Sequence, residues 1–466
     1  MMRNEFVTRP DGADRQATIP KGRLGFMTIV RLPPPLLSLF ALFLCLAPVT
    51  AASAADTGPS LSGGDTAWIL VSSVFTSLML LPGLALFYGG MVRKKNVLAI
   101  AMQCATGCAL VSLIWVVCGY SLVFSPGTPV LGGFGRAFLA GVSLNSVSPG
   151  APTIPEYLYV MFELTFATIT PLIVLGATAD RMKFTAAMLF AVLWVLLIYC
   201  PVAHMVWGPG GLLGQSGELD FAGGTVVHIT SGTSALLACL VLGRRMGLGS
   251  ENMAPHNILL TMIGGSLLWM GWFCFNGGSA LSAGPTAALA ILNSQIAASA
   301  ALVSWTLAEW KLHGKPSLLG ALSGAIAGLV VITPACGFVT VSGALVMGLI
   351  GGVICLWAVN WPKHHFKYDD ALDVWAIHGI GGIVGAFLTG IFATRLVGGP
   401  EHSGLLDGNW HQLLVQSKAI GVIVLWTIVA TALILVIVQR VCGLRVSPDV
   451  EREGLDIALH GEMLHD

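Results

Sequence analysis

"DFAGGTVVHITSG" (residues 220–232) sets an aspartate and a histidine, Asp220 and His228, eight positions apart in a run otherwise made of small and apolar residues. "DVWAIHGIGGIVG" (residues 373–385) repeats the pattern, with Asp373 and His378 in another Gly-rich apolar run. The surrounding composition says where such runs lie. Hydrophobic residues make up 55% of the 466 residues, charged residues only 10%, and the mean hydropathy is +0.82. That is too little polar surface to coat soluble domains of this size, so the chain is read as an all-α membrane protein. An ionisable side chain at mid-bilayer costs roughly 2.5–3.5 kcal/mol even on the lenient insertion scale, so each histidine must face a cavity or a partner.

Apolar runs of the ~20 residues that a span requires fall near 66–90, 97–124, 156–179, 185–207, 221–243, 256–277, 283–308, 317–336, 340–361, 371–394 and 412–440, eleven in all. Alternate loops hold Arg93, Lys94, Lys95, Arg181, Lys183, Arg244, Arg245, Lys311, Lys315, Lys363 and Lys367; the intervening loops hold Arg136 and Arg395. The positive-inside rule then puts the mature N-terminus outside and the C-terminus in the cytoplasm. A basic lead to Arg31 followed by "LPPPLLSLFALFLCLAPVTAASAA" reads as an export signal, so residues 1–55 are set aside as signal peptide and leader. Residues 56–440 form the transmembrane domain and 441–466 a cytoplasmic tail.

"FYGG" from Phe87 closes the first span and "FNGG" from Phe275 the sixth, while "VVHITSG" in the fifth resembles "AIHGIGG" in the tenth. Two copies of five helices, followed by a final helix, account for both matches. Five is odd, so the copies insert with opposite orientation and the solute site is expected at their interface. His228 and His378 should then meet at the centre of the bundle. Burial favours neutral imidazoles, each with one donor and one acceptor nitrogen. A haem would need a wide apolar slot and a metal usually a third ligand and second-shell carboxylates, so no cofactor or metal is expected. The ten cysteines carry no metal or redox spacing and read as buried small hydrophobes. With a formal net charge of zero and no basic stripe, nucleic acid is not a partner.

Other polar and aromatic groups leave alternatives open. Asp220, at the start of its span, suits a helix cap or a carboxylate at the mouth of a cation pathway. Phe162, Phe166, Trp207, Trp272 and Phe275 cluster at the expected outer ends of spans, each as a belt residue or as a wall of a cation–π cage.

"DFAGGTVVH", "AHMVWGPGG", "GWFCFNGGSA", "GKPSLLGALSGAIAGLVVITPACG", "DVWAIHGIGGIVG" and "GLRVSPDVEREGLD" resemble the ammonium transporter family, which includes methylammonium permeases and Rhesus proteins. The resemblance runs from about residue 65 to 462. It implies a homotrimer in the bacterial inner membrane, with a narrow pore through each subunit and a trimeric PII-type regulator docking on the cytoplasmic face. It maps ammonium recruitment onto Phe166, Trp207 and Ser279, a gate onto Phe166 and Phe275, and the pore lining onto His228 and His378. Asp220 would lie beneath the recruitment site, with Phe162 and Trp272 in support. Glu163 departs from the family's uncharged amide: facing the vestibule ionised it would attract cations, and buried it would be protonated. The rival readings are an ammonium sensor, a conductor of neutral gas and, last, a membrane enzyme.

Overall fold

The computed structural model describes residues 60–464; the signal and leader expected at 1–55 lie outside them. Among the described residues the chain forms helices and loops, with isolated bridges in place of strands. Ten helices among the described residues are long and apolar enough to cross a membrane: α1 (Gly63–Met91), α2 (Lys94–Phe124), α3 (Glu156–Thr178), α4 (Phe184–Trp207), α5 (Gly224–Leu242), α6 (Ile258–Gly278), α7 (Pro285–His313), α9 (Val341–Phe366), α10 (Trp375–Phe392) and α11 (Trp410–Val441). Where the eighth of eleven spans was expected, at 317–336, stands α8 (Leu318–Ile332), a helix of 15 residues. It is about 22 Å long, shorter than a typical hydrocarbon core. Pro334, which has no N–H to donate, follows directly on its C-cap.

Helices dominate because lipid offers backbone groups no partners, so each span must satisfy its own. The free N–H groups at helix starts are taken by side chains at sequence-legible caps: Ser62 to Asp65, Asn257 to Leu260, Ser317 to Gly320, Thr340 to Gly343 and Asn409 to Gln412. α3 lies at the heart of the bundle, 89% of its apolar window buried, whereas α11 at 33% lies against the periphery.

The repeat is visible in the packing. In α1, Gly83, Phe87, Gly89 and Gly90 have the same spacing as Gly271, Phe275, Gly277 and Gly278 in α6. The two helices run antiparallel, since Trp68 Nε1 near the start of α1 donates to Gly277 O at the end of α6, 3.2 Å away. Their backbones approach so closely that a Cβ on Gly264 would lie 2.1 Å from Phe87 N, and one on Gly271 would lie 2.4 Å from Met79 Cγ. α5 and α10 cross in the same manner, also antiparallel. A Cβ on Gly232 would meet Gly379 N at 2.0 Å, and one on Gly382 would meet His228 Cβ at 3.0 Å. Small residues at a crossing replace the hydrophobic drive that lipid cannot supply.

At the opposite end of the bundle from Trp68, a buried charge cluster ties several helix ends together. Asp180 accepts from Arg93 Nε at 3.0 Å and Asn96 Nδ2 at 2.5 Å, and Arg245 bridges Asp180 and Asp369. Burial would raise Asp369, but the bonds and charge of Arg245 outweigh it and hold the carboxyl below its ordinary range. The tail docks here. Asp456 accepts from Leu98 N and Ala99 N near the start of α2, and Glu451 accepts from Met246 N and pairs with Arg445.

Gly264→Ala should lose about 3 kcal/mol or more, since its Cβ would strike backbone rather than a movable side-chain tip. Gly421→Ala, on α11 with nothing within 4 Å, should be neutral or slightly stabilising. Thermal unfolding of the detergent-solubilised protein compares them, and equal midpoints would refute the close crossing of α1 and α6.

Candidate conduction site

Two π-helical turns build the centre of the site. Gly224–Ile229 opens α5 and carries His228; Trp375–Ile380 opens α10 and carries His378. Each wider turn leaves N–H groups that the helix does not use, and each is met by an aspartate eight residues before its histidine (228 − 220 and 378 − 370). Asp220 accepts from the backbone N–H groups of Gly223 (2.8 Å), Gly224 (2.6 Å), Thr225 (2.9 Å) and Val226 (3.2 Å), and from the Thr225 hydroxyl at 2.5 Å. On the other side, Asp370 Oδ2 accepts from Trp375 N at 2.7 Å, while its Oδ1 is buried without a partner. Burial first, and Asp373 second, push the Asp370 carboxyl up to about 6.

Asp373, the aspartate singled out beside His378 in the sequence, serves differently. It has a left-handed backbone (φ 58) and pairs with Lys363 Nζ at 2.6 Å. The counterpart of Asp220 is therefore Asp370, and the shared eight-residue spacing was the signal that could have found it.

The crossing of α5 and α10 brings the two imidazoles together, Nδ1 to Nδ1 at 3.2 Å, with ring centroids 5.2 Å apart. A hydrogen bond between two like nitrogens puts one proton between them, so the neutral rings adopt opposite tautomers: one Nε2 is then a donor and the other an acceptor. His228 Nε2 is buried and has no protein partner. The rings line a narrow cavity of about 20 Å³, walled by Phe275, Trp272, Ile169, Ile326 and Phe87. A second cavity of about 50 Å³, bounded by Phe87, Tyr88, His378 and Asp373, continues it toward the Lys363 end. One water needs about 10–15 Å³ on such a measure, so the first cavity has the bore of a single small molecule.

Toward the Trp207 end the cavity is shut by Phe166 and Phe275, whose rings stack 4.0 Å apart at 22°. Beyond them Trp207 stands edge-on to Phe166 at 6.1 Å, and its Nε1 donates to Asp220 O at 3.0 Å. Phe162 packs against Phe166 at 5.1 Å. Ser279 is part-exposed and its hydroxyl donates to Phe275 O at 2.8 Å. Phe162, Phe166, Trp272 and Phe275 are all buried, so the belt alternative fails for these four. Trp272 also leaves the outer cluster: its indole stacks on His228 at 5.3 Å and donates to Thr333 Oγ1 at 2.9 Å. One turn of α6 separates it from Phe275, enough to move it past the stacked pair. Glu163 is buried on α3 with Oε2 unpartnered. Among the described residues no group of three His, Cys, Asp or Glu side chains forms a metal-ligand set.

A narrow cavity closed by stacked rings, inside a bundle of membrane-length helices, defines a multi-pass membrane protein. Comparison with known proteins supplies the particular solute. Residues 67–465 match the Ammonium Transporter Family. An ammonium transporter of Bacillus subtilis (strain 168) is 48% identical over 401 residues, 86% of this chain and 98% of that one. One from Aquifex aeolicus is 46% identical over 404 residues, 86% and 93% of the two chains. The crystal structure of Saccharomyces cerevisiae Mep2 superposes with a TM-score of 0.78 at 34% identity, covering 84% of this chain and 89% of that one. A structure titled Sensor Amt Protein does so with 0.78 at 29% identity, covering 85% and 98%. The chain belongs to the Ammonium Transporter Family, whose members are transporters rather than enzymes, and ammonium transport is its function.

Asp220→Ala would leave four buried N–H groups without an acceptor at about 1–3 kcal/mol each, and should prevent recovery of folded protein. Asp370→Ala should cost about 1–3 kcal/mol and remain foldable. Yield and melting temperature after solubilisation compare them, and equal losses would refute the unequal roles of the two caps.

Proposed function

We propose that the chain recruits ammonium at an outer site formed by Phe166, Trp207 and Ser279, removes one proton near the Phe166–Phe275 gate, passes ammonia along His228 and His378, and relays the proton through the same two imidazoles to the inner water. The observation that carries this reading is the 3.2 Å Nδ1–Nδ1 contact inside an apolar cavity of about 20 Å³. Ammonium is tetrahedral, charged and donor-only, so ring faces and one hydroxyl replace part of its hydration; desolvated cation–π attraction is worth about 2 kcal/mol or more. Moving the bare ion through the apolar bore would be far costlier. Ammonia carries no charge, and the free imidazole nitrogens offer it an acceptor and a donor in turn. Rings stacked at 4.0 Å leave no gap, so Phe166 or Phe275 must turn aside for each passage. Asp220 stabilises positive charge beneath the outer site, while Phe162 and Trp272 buttress the gate and the histidine pair.

The same reading gives the chain a cleaved leader within residues 1–55, a transmembrane domain at 56–440 and a cytoplasmic tail at 441–466, in a bacterial inner membrane with the N-terminus outside. Copies assemble as a homotrimer, and apolar surfaces such as Leu70 and Val74 on α1 and Ile263 and Met270 on α6, exposed in one copy, meet neighbouring copies or lipid. The tail and the charged loops around it offer a docking face to a PII-type nitrogen regulator. A sensing role is the second reading, favoured by the similarity to the Sensor Amt Protein.

Replacing either histidine with aspartate should change what moves, because a carboxylate can hold a full negative charge that offsets an entering cation. Proteoliposomes bearing His228→Asp or His378→Asp should show potassium currents that the parent protein lacks. Native ammonium currents and retained exclusion of potassium in both variants would reduce the histidines to packing residues.

A further inference from the structure

A second carboxyl stands beside the Asp220 cap and has no part in the route above. Glu218, in the loop between α4 and α5, is 8% exposed, and neither of its carboxylate oxygens has a hydrogen-bond partner. The loop holds it there. Glu218 N donates to Leu213 O at 3.1 Å, Gln412 Nε2 donates to Gly217 O at 2.8 Å, and the Gln416 amide clamps Leu219 through both its N–H (2.8 Å) and its carbonyl (2.9 Å). A buried carboxyl unpaired at both oxygens weakens the fold rather than supporting it, and perturbed groups of this kind cluster at functional sites.

The surroundings say with what it communicates. The Glu218 carboxyl lies close to the Thr225 hydroxyl, which donates to Asp220 Oδ2 at 2.5 Å. Burial first, and the Asp220 charge second, push Glu218 up to about 8, against the opposing pull of Thr225. α11 presents the Gln412 and Gln416 amides to this loop, and Tyr199 from α4 and Cys336 from the turn after α8 lie within electrostatic reach of Asp220.

We propose that Glu218 is a proton-exchanging partner of Asp220 in cation capture: an arriving ammonium ion drives the proton of Glu218 to the external water, and the carboxylate so formed holds the ion more tightly. The proposal rests on the reading of Phe166, Trp207 and Asp220 as the outer site. At this step the carboxylic acid becomes carboxylate and a proton, and no bond to nitrogen breaks. Linkage makes the effect reciprocal: a cation that loosens the proton must itself bind more tightly once the proton is gone.

Ammonium-pulse currents from proteoliposomes of the full chain, measured as concentration series between about pH 6.5 and 8.5, test this across the titration of a carboxyl raised into that range. In the parent protein the half-saturating ammonium concentration should fall on the order of five-fold as pH rises. Glu218→Gln should stay flat at the low-pH value, and Glu218→Ala is a second variant with the same expectation. A merely structural carboxyl would make the melting temperature depend on pH, with stability falling between its ordinary range and about 8, yet leave the pH slope of the half-saturating concentration unchanged. A parental slope retained in either folded variant, or a flat profile in the parent, would overturn the proposal. Trp207→Leu separates it from the reading beneath: an unchanged concentration dependence there removes the outer site itself, whatever the Glu218 variants do.

Discussion

Lipid offers no hydrogen-bond partner, and the bundle is organised around that constraint. A membrane helix that opens with a π-helical turn sets N–H groups free in a place where water cannot reach them. Asp220 and Asp370 take those groups up, and only because they do can His228 and His378 be held at the start of a helix rather than in its regular body. The Nδ1–Nδ1 contact depends in turn on Gly232 and Gly382, where any side chain would strike the opposite helix. Removing a cap or adding a methyl group at the crossing acts on the same element, the relative position of two rings.

The two caps are not equal, although the helices they serve are related by the repeat. Asp220 is saturated by four N–H groups and a hydroxyl, whereas Asp370 keeps one buried oxygen free and lies near Asp373 and Lys363. Saturation fixes the orientation of the Asp220 carboxylate, because each of its oxygens is held by more than one donor. The less satisfied carboxyl lies beside Asp373, which lines the cavity of about 50 Å³. A pseudo-symmetric scaffold thus carries an asymmetric electrostatic field, through side-chain environment and not through helix geometry.

A buried charge cluster lies at the far end of the bundle. Arg93, Arg245, Asp180 and Asp369 pair in a buried cluster, and the tail reaches the same region through Asp456 and Glu451. Breaking one member would leave an uncompensated buried charge, a larger loss than the pair's net contribution. The tail is hydrogen-bonded to the start of α2 and to the segment that follows α5.

The sequence by itself determined the membrane class, the positions of ten spans and the pairing of α1 with α6 and α5 with α10. These follow from local quantities: about 20 apolar residues make a span, and Gly-rich motifs repeat at matched places. The length of α8 was less legible, since hydropathy does not register the Pro334 that follows its C-cap. Tertiary structure decided the rest. It alone turned Phe162, Phe166 and Phe275 inward, put Trp272 on the histidine side of the stacked Phe166–Phe275 pair, made Asp370 rather than Asp373 the second cap, and buried Glu163 and Glu218. Each of these depends on which way a helix face points and on contacts between residues as far apart as His228 and His378, 150 positions along the chain. Composition and spacing fix what a segment can be, whereas the rotation of one packed helix against another is set by the side chains of both.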